Sequence, residues 1–155
     1  MTTAAFATGF LALIATATVA GLFFGYWCSV MPALDQVPAR TAIAVMRRIN
    51  VVIVNPPFLA AFLGAAVLLP AAAVLAWWTG ADAAAAGLYG IGTFGVTVAL
   101  NVPLNDALER LGDEPAAPEE KWSAFAAPWN RWHALRTAAS LFALACSGLG
   151  LAALP

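Results

Sequence analysis

The chain has 155 residues, of which 63% are hydrophobic and only 10% are charged, and its formal net charge is -1. A water-soluble domain of this size would need far more polar surface, so the excess apolar surface must face lipid or a partner. The small net charge gives no electrostatic basis for nucleic-acid binding, and the length leaves room for one compact domain.

Four long apolar segments follow one another along the chain. Each exceeds the roughly 20 residues that a helix needs to cross the hydrocarbon layer of a membrane. They predict membrane-spanning helices at about 4–31, 51–78, 83–108 and 122–153, with a shorter helix at about 41–49 before the second. The sequence therefore predicts an all-α fold, a four-helix transmembrane bundle, in which residues 1–155 form a single membrane domain.

Small residues in the first and third segments indicate where helices can approach closely. Gly21 and Gly25 form a small-xxx-small pair, which predicts a close contact within the chain. The third segment offers the same opportunity at several glycines, namely Gly87, Gly90, Gly92 and Gly95. The first segment is also too long for a signal-peptide core and lacks a basic flank, so we expect it to be retained as a helix.

The second and fourth segments carry signals for where their helices begin and end. Asn55 precedes Pro56-Pro57, two residues without an amide donor, so Asn55 is expected either to serve a freed carbonyl or to begin the helix as its N-cap. Trp77 and Trp78 are typical of the outer membrane interface. The fourth helix is expected to begin near Trp122, after a polar loop at 112–120, and to continue past the proline at 128.

The basic residues lie in only two stretches, between the apolar segments or at their edges. These stretches contain Arg40, Arg47 and Arg48, and then Arg110, Lys121, Arg131 and Arg136. Cytoplasmic loops of membrane proteins carry such an excess of Lys and Arg. The pattern predicts that both basic loops lie in the cytoplasm and both termini outside, in a multi-pass protein of the bacterial inner (cell) membrane.

Polar side chains cluster at the same end as the basic loops. Asn101 and Asn105 are four residues apart and share a helix face. Spacings of four and three place Trp129, His133 and Arg136 on one stripe of the fourth helix. The predicted catalytic residues are His133, Arg136, Asn101 and Asn105, and the predicted substrate-binding residues are Asn55, Asn50, Trp129 and Trp132.

Each of these residues also has a purely structural explanation. Arg and Trp anchor helices at the membrane interface, and Asn often only joins helices. Their convergence around the single His favours a site, because ionisable groups inside a membrane are rare and usually face a cavity. One His with no nearby ligand partners does not make up a metal site, so none is predicted from the sequence, although haem through one axial His and a metal stay open.

The motifs resemble a known family, and the resemblance covers nearly the whole chain in order and spacing. The first half of the pattern consists of Gly21-Leu-Phe-Phe-Gly25, Met31-Pro32-Ala33-Leu34, Ile49-Asn50 and Asn55-Pro56-Pro57-Phe58. The second half consists of Asn101-Val-Pro-Leu-Asn105 and Trp129-Asn-Arg-Trp-His-Ala-Leu-Arg136-Thr137. These segments resemble the DUF1772 or anthrone oxygenase-like membrane proteins, many of which carry Asn where this chain has His133.

The resemblance implies a four-helix membrane bundle and an oxygenase that oxidises anthrones with dioxygen, without a metal or flavin cofactor. On that basis His133 is expected to be the base and Arg136 the group that stabilises the anion. Asn101 and Asn105 are expected to orient carbonyl or phenol oxygens, and Trp129 with Trp132 to stack on the ring system. The expected partners are the lipid bilayer and a small hydrophobic substrate, and a homo-oligomer is left open.

The alternative belongs to another class of protein: a non-enzymatic membrane subunit or a binder of small hydrophobic molecules. In a membrane subunit the polar cluster would only lock the helices together. The shape of the interior distinguishes an enzyme or binder from a purely structural subunit. An enzyme or binder should have a ligand-sized cavity between the two clusters, whereas a structural cluster should be filled, with each Asn and Arg paired to a neighbour.

Overall fold

The computed structural model describes residues 3–77, 80–113 and 115–154, and this part of the chain is helical without strands. It forms five helices, α1 Thr3–Leu34, α2 Ala39–Val52, α3 Pro56–Leu75, α4 Ala81–Glu109 and α5 Pro118–Ala152. All except α2 are long and apolar enough to cross a membrane. The protein is therefore an integral membrane protein, and the prediction of four spanning helices in an all-α fold is confirmed.

Helices α1 and α5 are at the centre of the packing among the four spanning helices. Helix α1 contacts α3 along one side and α5 along the other, and α3 packs against the first half of α4. Small and medium side chains fill this contact region, including Ala12, Val19, Ala65, Leu69 and Ala143. Because lipid is as apolar as the helices, close packing of such small residues is what holds membrane helices together.

The second spanning helix begins later than its sequence predicts. Helix α2 continues to Val52, and α3 starts at Pro56 rather than at residue 51. The backbone of Asn55 is extended, because the residue before a proline disfavours the helical region. Its side chain accepts the Phe58 amide at 3.0 Å and donates to the Val52 carbonyl at 2.9 Å, so Asn55 serves both roles expected of it.

The other predicted helix bounds differ from the observed ones by a few residues. Helix α5 starts at Pro118, four residues before the predicted start, because proline is accepted in the first turn of a helix. It continues unbroken through Pro128, as expected. Trp77 is exposed near the end of α3, and Trp78, predicted at the same interface, lies outside the described residues.

The two connections that carry the basic residues lie at the same end of the bundle. The indole of Trp122, at the start of α5, donates to Asp35 in the connection after α1 at 2.9 Å. The buried face of α2, with Ala42, Ile43 and Met46, packs against Trp122 and neighbouring residues in a second core cluster. Helix α2 is therefore an amphipathic helix that covers this end of the bundle, and its cytoplasmic location stays a prediction.

Three stretches of the spanning helices are π-helical: Tyr26–Val30 in α1, and Leu88–Gly95 and Thr97–Asn101 in α4. A π-helical stretch changes which side chains share a face, and such stretches occur frequently at functional sites. Each stretch contributes a polar side chain that is buried or partly buried, and the second contributes Tyr89 and Thr93. Tyr26 comes from the first, and Thr97 and Asn101 come from the last.

Only one of the predicted glycine contacts between helices is tight. A Cβ added to Gly92 would lie 2.5 Å from the Cβ of Ala139 on α5, so these helices meet backbone to backbone there. The prediction for Gly21 and Gly25 is wrong, because an added Cβ at either position would meet nothing within 4 Å. An added Cβ at Gly90 would also meet open space.

We expect Gly92→Ala to lower the thermal unfolding midpoint of the purified protein, because α4 and α5 would have to separate. Overpacking of this kind costs about 1–3 kcal/mol. Gly90→Ala, two residues away on the same helix, is the matched control and should leave the midpoint unchanged or raise it, since Ala favours a helix. Thermal unfolding in detergent measures both, and equal midpoints for the two variants would contradict the tight contact.

Candidate functional site

A cavity of about 480 Å³ lies between α2 and the four spanning helices, at the end with the basic connections. Cavities of about 300–1,000 Å³ are typical of small-molecule sites. Most of its wall is apolar, and one side is a row of stacked aromatic rings. Phe62 stacks on Phe58 and on Phe94, with ring centroids 5.3 and 5.4 Å apart. The wall is therefore suited to contact with an apolar or aromatic molecule.

The polar end of the cavity is formed by one stripe of α5. Trp129, His133 and Arg136 all line the cavity and are all buried, as their spacing predicts. The rings of Trp129 and His133 stack with centroids 4.6 Å apart. The guanidinium carbon of Arg136 lies 4.3 Å from the centroid of the Phe23 ring, so the cation is held against an aromatic face.

The hydrogen bonds of His133 fix the protonation state of its ring. Its Nε2 lies 2.9 Å from the carbonyl oxygen of Phe23, which can only accept a hydrogen bond. Its Nδ1 lies 2.9 Å from Nε of Arg136, which can only donate. The ring is therefore neutral, with the proton on Nε2 and the lone pair of Nδ1 directed to Arg136. The predicted base role of His133 thus requires that Arg136 first release Nδ1.

Arg136 carries a positive charge that no described carboxylate neutralises. Only 7% of the residue is exposed. Besides the bond to His133, its Nη1 donates to the hydroxyl of Thr97 at 3.2 Å. Arg47, by contrast, forms ion pairs with Glu109 and Asp113. Nη2 has no hydrogen-bond partner among the described residues, so its donors are available to a molecule in the cavity.

The predicted Asn residues divide into two groups. Asn50 and Asn105 line the cavity, and Nδ2 of Asn50 is a buried donor without a described partner. Oδ1 of Asn105 accepts the indole N–H of Trp129 at 2.8 Å and so fixes that ring. Asn101 lies behind the wall, where its Nδ2 donates to the Trp129 carbonyl at 3.3 Å, and Asn55 is the cap of α3.

Trp132 lies away from the cavity. It is only partly buried, and its ring is paired with the exposed Arg131, whose guanidinium carbon lies 5.3 Å from the ring centroid. A helical step of one residue from His133 turns a side chain by about a quarter of a turn, which is enough to point Trp132 out of the bundle. The structure therefore brings together Asn50, Asn105, Trp129, His133 and Arg136, but not Asn55, Asn101 or Trp132.

Many of the cavity residues were not predicted from the sequence, and Tyr26, Thr97 and Asp106 are three polar ones among them. Tyr26 lines the cavity and its ring lies edge-on to His133, with centroids 6.1 Å apart. Thr97 accepts from Arg136, and its spacing of four and eight from the two predicted Asn residues of α4 is a signal that could have found it. Asp106 also lines the cavity, and its carboxylate has no described hydrogen bond or ion pair.

One side of the cavity faces the surroundings of the spanning helices. Leu63 on α3 and Val98 on α4 line the cavity and are 47% and 50% exposed. Helix α3 packs against the first half of α4, and Val98 lies beyond that contact in the second half of α4. Since both residues belong to membrane-spanning helices, this side of the cavity is exposed on the surface that the spans would present to a membrane.

Near the basic connections, Arg47 links α2 to the end of α4 and to the residues that follow it. Its guanidinium donates to both carboxylate oxygens of Glu109 at 3.0 and 3.2 Å, and to the Gly112 carbonyl and Asp113 at 2.6 and 2.8 Å. The hydrogen bond to Glu109, followed by the one to Asp113, raises the pKa of Arg47 above its already high ordinary value. Arg47 therefore keeps its charge, and this link between α2 and α4, throughout the neutral pH range.

Among the described residues, no group of three His, Cys, Asp or Glu side chains lies close enough together to hold a metal ion. Cys28 and Cys146 are both free thiols, the first exposed and the second partly buried. The polar groups of the cavity are instead one guanidinium, one imidazole, two amides, hydroxyl groups and two carboxylates near its edge. This set suits the binding of an oxygen anion and the movement of protons.

Comparison with known proteins gives one match. The family model described as anthrone oxygenase matches residues 44–146, which include most of α2 and α5 and all of α3 and α4. No curated protein and no solved structure matches the chain. The matched region contains every predicted site residue, whereas Phe23 and Tyr26 of α1 lie before it.

We expect Arg47→Met to free α2 from the end of α4 and to speed amide hydrogen exchange across α2 at neutral pH. Because the raised pKa keeps Arg47 charged, its contribution is present at every pH below the ordinary arginine value and is lost only above it. Arg48→Met removes the neighbouring exposed charge, which has no described ion pair, and is the matched control. Equal exchange rates in the two variants would show that the Arg47 bonds do not hold α2 in place.

Proposed function

The chain belongs to the anthrone oxygenase family, and we propose that it is a membrane-embedded oxygenase that needs no cofactor. The proposed substrate is a flat, apolar polycyclic phenol or anthrone with an acidic methylene group. Dioxygen is the oxidant and co-substrate. The protein would work in a bacterial inner membrane, with its basic connections in the cytoplasm as the charge pattern predicts.

The observation that carries this proposal is the position of Arg136. An isolated buried charge costs several kcal/mol even after the surroundings relax, and ionisable residues inside membranes usually serve a function. Arg136 has no described carboxylate partner, and its free donors lie at the wall of an apolar cavity. Such a cation stabilises an oxygen anion far better than water does, because the interaction acts in a low dielectric.

The proposed reaction begins when a base removes one methylene proton and the electrons move onto the carbonyl oxygen as an enolate. The anion gives one electron to dioxygen, and the two radicals combine into a carbon-bound peroxide, which takes up a proton. Loss of the second methylene hydrogen as a proton and of the outer oxygen as hydroxide leaves a carbonyl group and water. The methylene carbon is thus oxidised by four electrons, and dioxygen supplies both the new carbonyl oxygen and the water.

Each side of the cavity has a part in this reaction. Arg136 would bind the enolate oxygen, while Asn50 and Asn105 would orient further oxygens of the ring system. Phe58, Phe62 and Phe94 would pack on the rings, and the apolar wall would keep water from the anion. The sequence predicts His133 as the proton acceptor, and the carboxylate of Asp106 at the edge of the cavity is a second candidate whose oxygens have no described partner.

The alternative is a binder of small hydrophobic molecules that does no chemistry, and the same cavity supports it. A purely structural polar cluster is supported less well. It should fill the interior and pair its polar groups, whereas the cavity is open and the donors of Asn50 and Arg136 lack described partners. Oxygen uptake separates an enzyme from a binder.

We expect the purified, metal-analysed protein to consume oxygen with a panel of anthrones and reduced hydroxynaphthalenes, after correction for spontaneous autoxidation. Arg136→Gln should lower kcat/KM by about 10²–10³-fold, the effect of removing an oxyanion-stabilising donor. Arg136→Lys should lose less, because it keeps the charge. Arg131→Gln, on the exposed face of the same helix, is the control and should match the wild type.

Two results would count against this proposal. Wild-type turnover by folded Arg136→Gln would show that the cation does not stabilise the reacting anion. Absence of uptake by the folded wild type with every compound, combined with retained binding of the same compounds, would favour the non-catalytic binder.

A further inference from the structure

We propose that His133 is a positioning residue that holds Arg136 for anion binding, and that it is not the proton acceptor. This inference rests on the proposed function, since it assigns the role of one residue at that site. It replaces the base role that the sequence predicts for His133. Three features of the site support it: the donors and acceptors around the ring, the charge beside it, and the way Arg136 is held.

The first feature is that both ring nitrogens are already used. Nε2–H donates a hydrogen bond to the Phe23 carbonyl at 2.9 Å, and the lone pair of Nδ1 accepts one from Nε–H of Arg136 at 2.9 Å. A general base needs a free lone pair within hydrogen-bond reach of the substrate. His133 offers none in this arrangement, because the only unprotonated nitrogen faces Arg136.

The second feature is the cost of protonating His133. A proton on Nδ1 would remove the hydrogen bond to Arg136 and leave two cations side by side in an apolar cavity. Like charges this close repel strongly where the dielectric is low. No described carboxylate pairs with Arg136, and the carboxylates of Asp106 and Glu109 lie at the edge of the cavity, where Glu109 already binds Arg47.

The third feature is that Arg136 is fixed from several directions. His133 accepts from Nε, Thr97 accepts from Nη1 at 3.2 Å, and Phe23 and Trp129 contact the guanidinium through their rings. Nη2 is left without a described partner and is free to donate to a ligand in the cavity. His133 is itself held by the Phe23 carbonyl and by stacking on Trp129. A neutral imidazole therefore links α1 to the cation on α5, and sets the direction of the free donors.

This role predicts which substitution of His133 is tolerated. The Oδ1 atom of Asn can take the place of Nδ1, since both stand at the same distance along the side chain, and it accepts a hydrogen bond from Arg136. An amide cannot act as a base near neutral pH. His133→Asn therefore keeps the positioning contact and abolishes any base role, whereas His133→Ala removes both.

The experiment compares the wild type, His133→Asn and His133→Ala in two assays on protein shown to be folded by gel filtration. The first assay titrates alizarin, a hydroxyanthraquinone that lacks the reactive methylene and whose absorption spectrum reports ionisation of its phenol. We expect the wild type and His133→Asn to bind it as the anion with affinities within about threefold, and His133→Ala to bind about tenfold more weakly, the effect of one charge-assisted hydrogen bond.

The second assay measures oxygen uptake against pH with the substrate that the wild type oxidises. We expect His133→Asn to keep kcat within about fivefold and to keep the pH profile, since removing a general base costs about 10²–10⁴-fold. A loss of that size in a folded variant that still binds alizarin as the anion would show that His133 is the base, and would overturn the inference. Alizarin binding as weak as that of His133→Ala would overturn it as well.

The two assays separate this inference from the proposed function. If the wild type oxidises no substrate but the alizarin affinities follow the expected order, the oxygenase proposal fails and the positioning role stands. If the wild type oxidises its substrate but His133→Asn does not, the oxygenase proposal stands and the positioning role fails. Should His133→Ala fail to fold, His133→Ser, which cannot reach Arg136, takes its place as the variant without an acceptor.

Discussion

The buried guanidinium of Arg136 is the feature on which the arrangement of the bundle centre depends. A cation in an apolar interior must be surrounded by acceptors and aromatic faces, because leaving it unsolvated would cost several kcal/mol. Helix α1 supplies the Phe23 ring, α4 supplies the Thr97 hydroxyl and α5 supplies His133. One charge thus constrains three of the four spanning helices. The donors of Arg136 that these neighbours do not bind are the groups that can bind an anion in the cavity.

Much of the fold follows from hydropathy alone, because a spanning helix must be long, apolar and internally hydrogen-bonded. The four spans were predicted within a few residues of their observed bounds, except that α3 begins at Pro56 and not at residue 51. Asn55 and the proline pair after it mark this helix start, but apolar residues on both sides make the sequence look like one continuous span. The glycines are less informative, since Gly92 forms a close contact and Gly21 does not, and spacing alone cannot separate them.

The candidate site was predictable where all its members share one helix. Trp129, His133 and Arg136 lie on one face of α5, and helical periodicity is enough to group them. Asn101 and Asn105 share a face of α4, yet only Asn105 lines the cavity, because the helix there is π-helical up to Asn101 and its side chains are rotated. Tyr26 comes from α1, so only the packing of two helices brings it to the site.

The exposure of Leu63 and Val98 on the membrane-facing side of the cavity determines which ligand concentration sets the occupancy of the cavity. The proposed apolar substrate partitions strongly into hydrocarbon, so the bilayer and not the water would be the phase from which the cavity fills. Occupancy then follows the number of ligand molecules per lipid, a quantity defined in two dimensions. Diluting a membrane suspension with buffer leaves that ratio nearly unchanged, whereas adding empty vesicles lowers it.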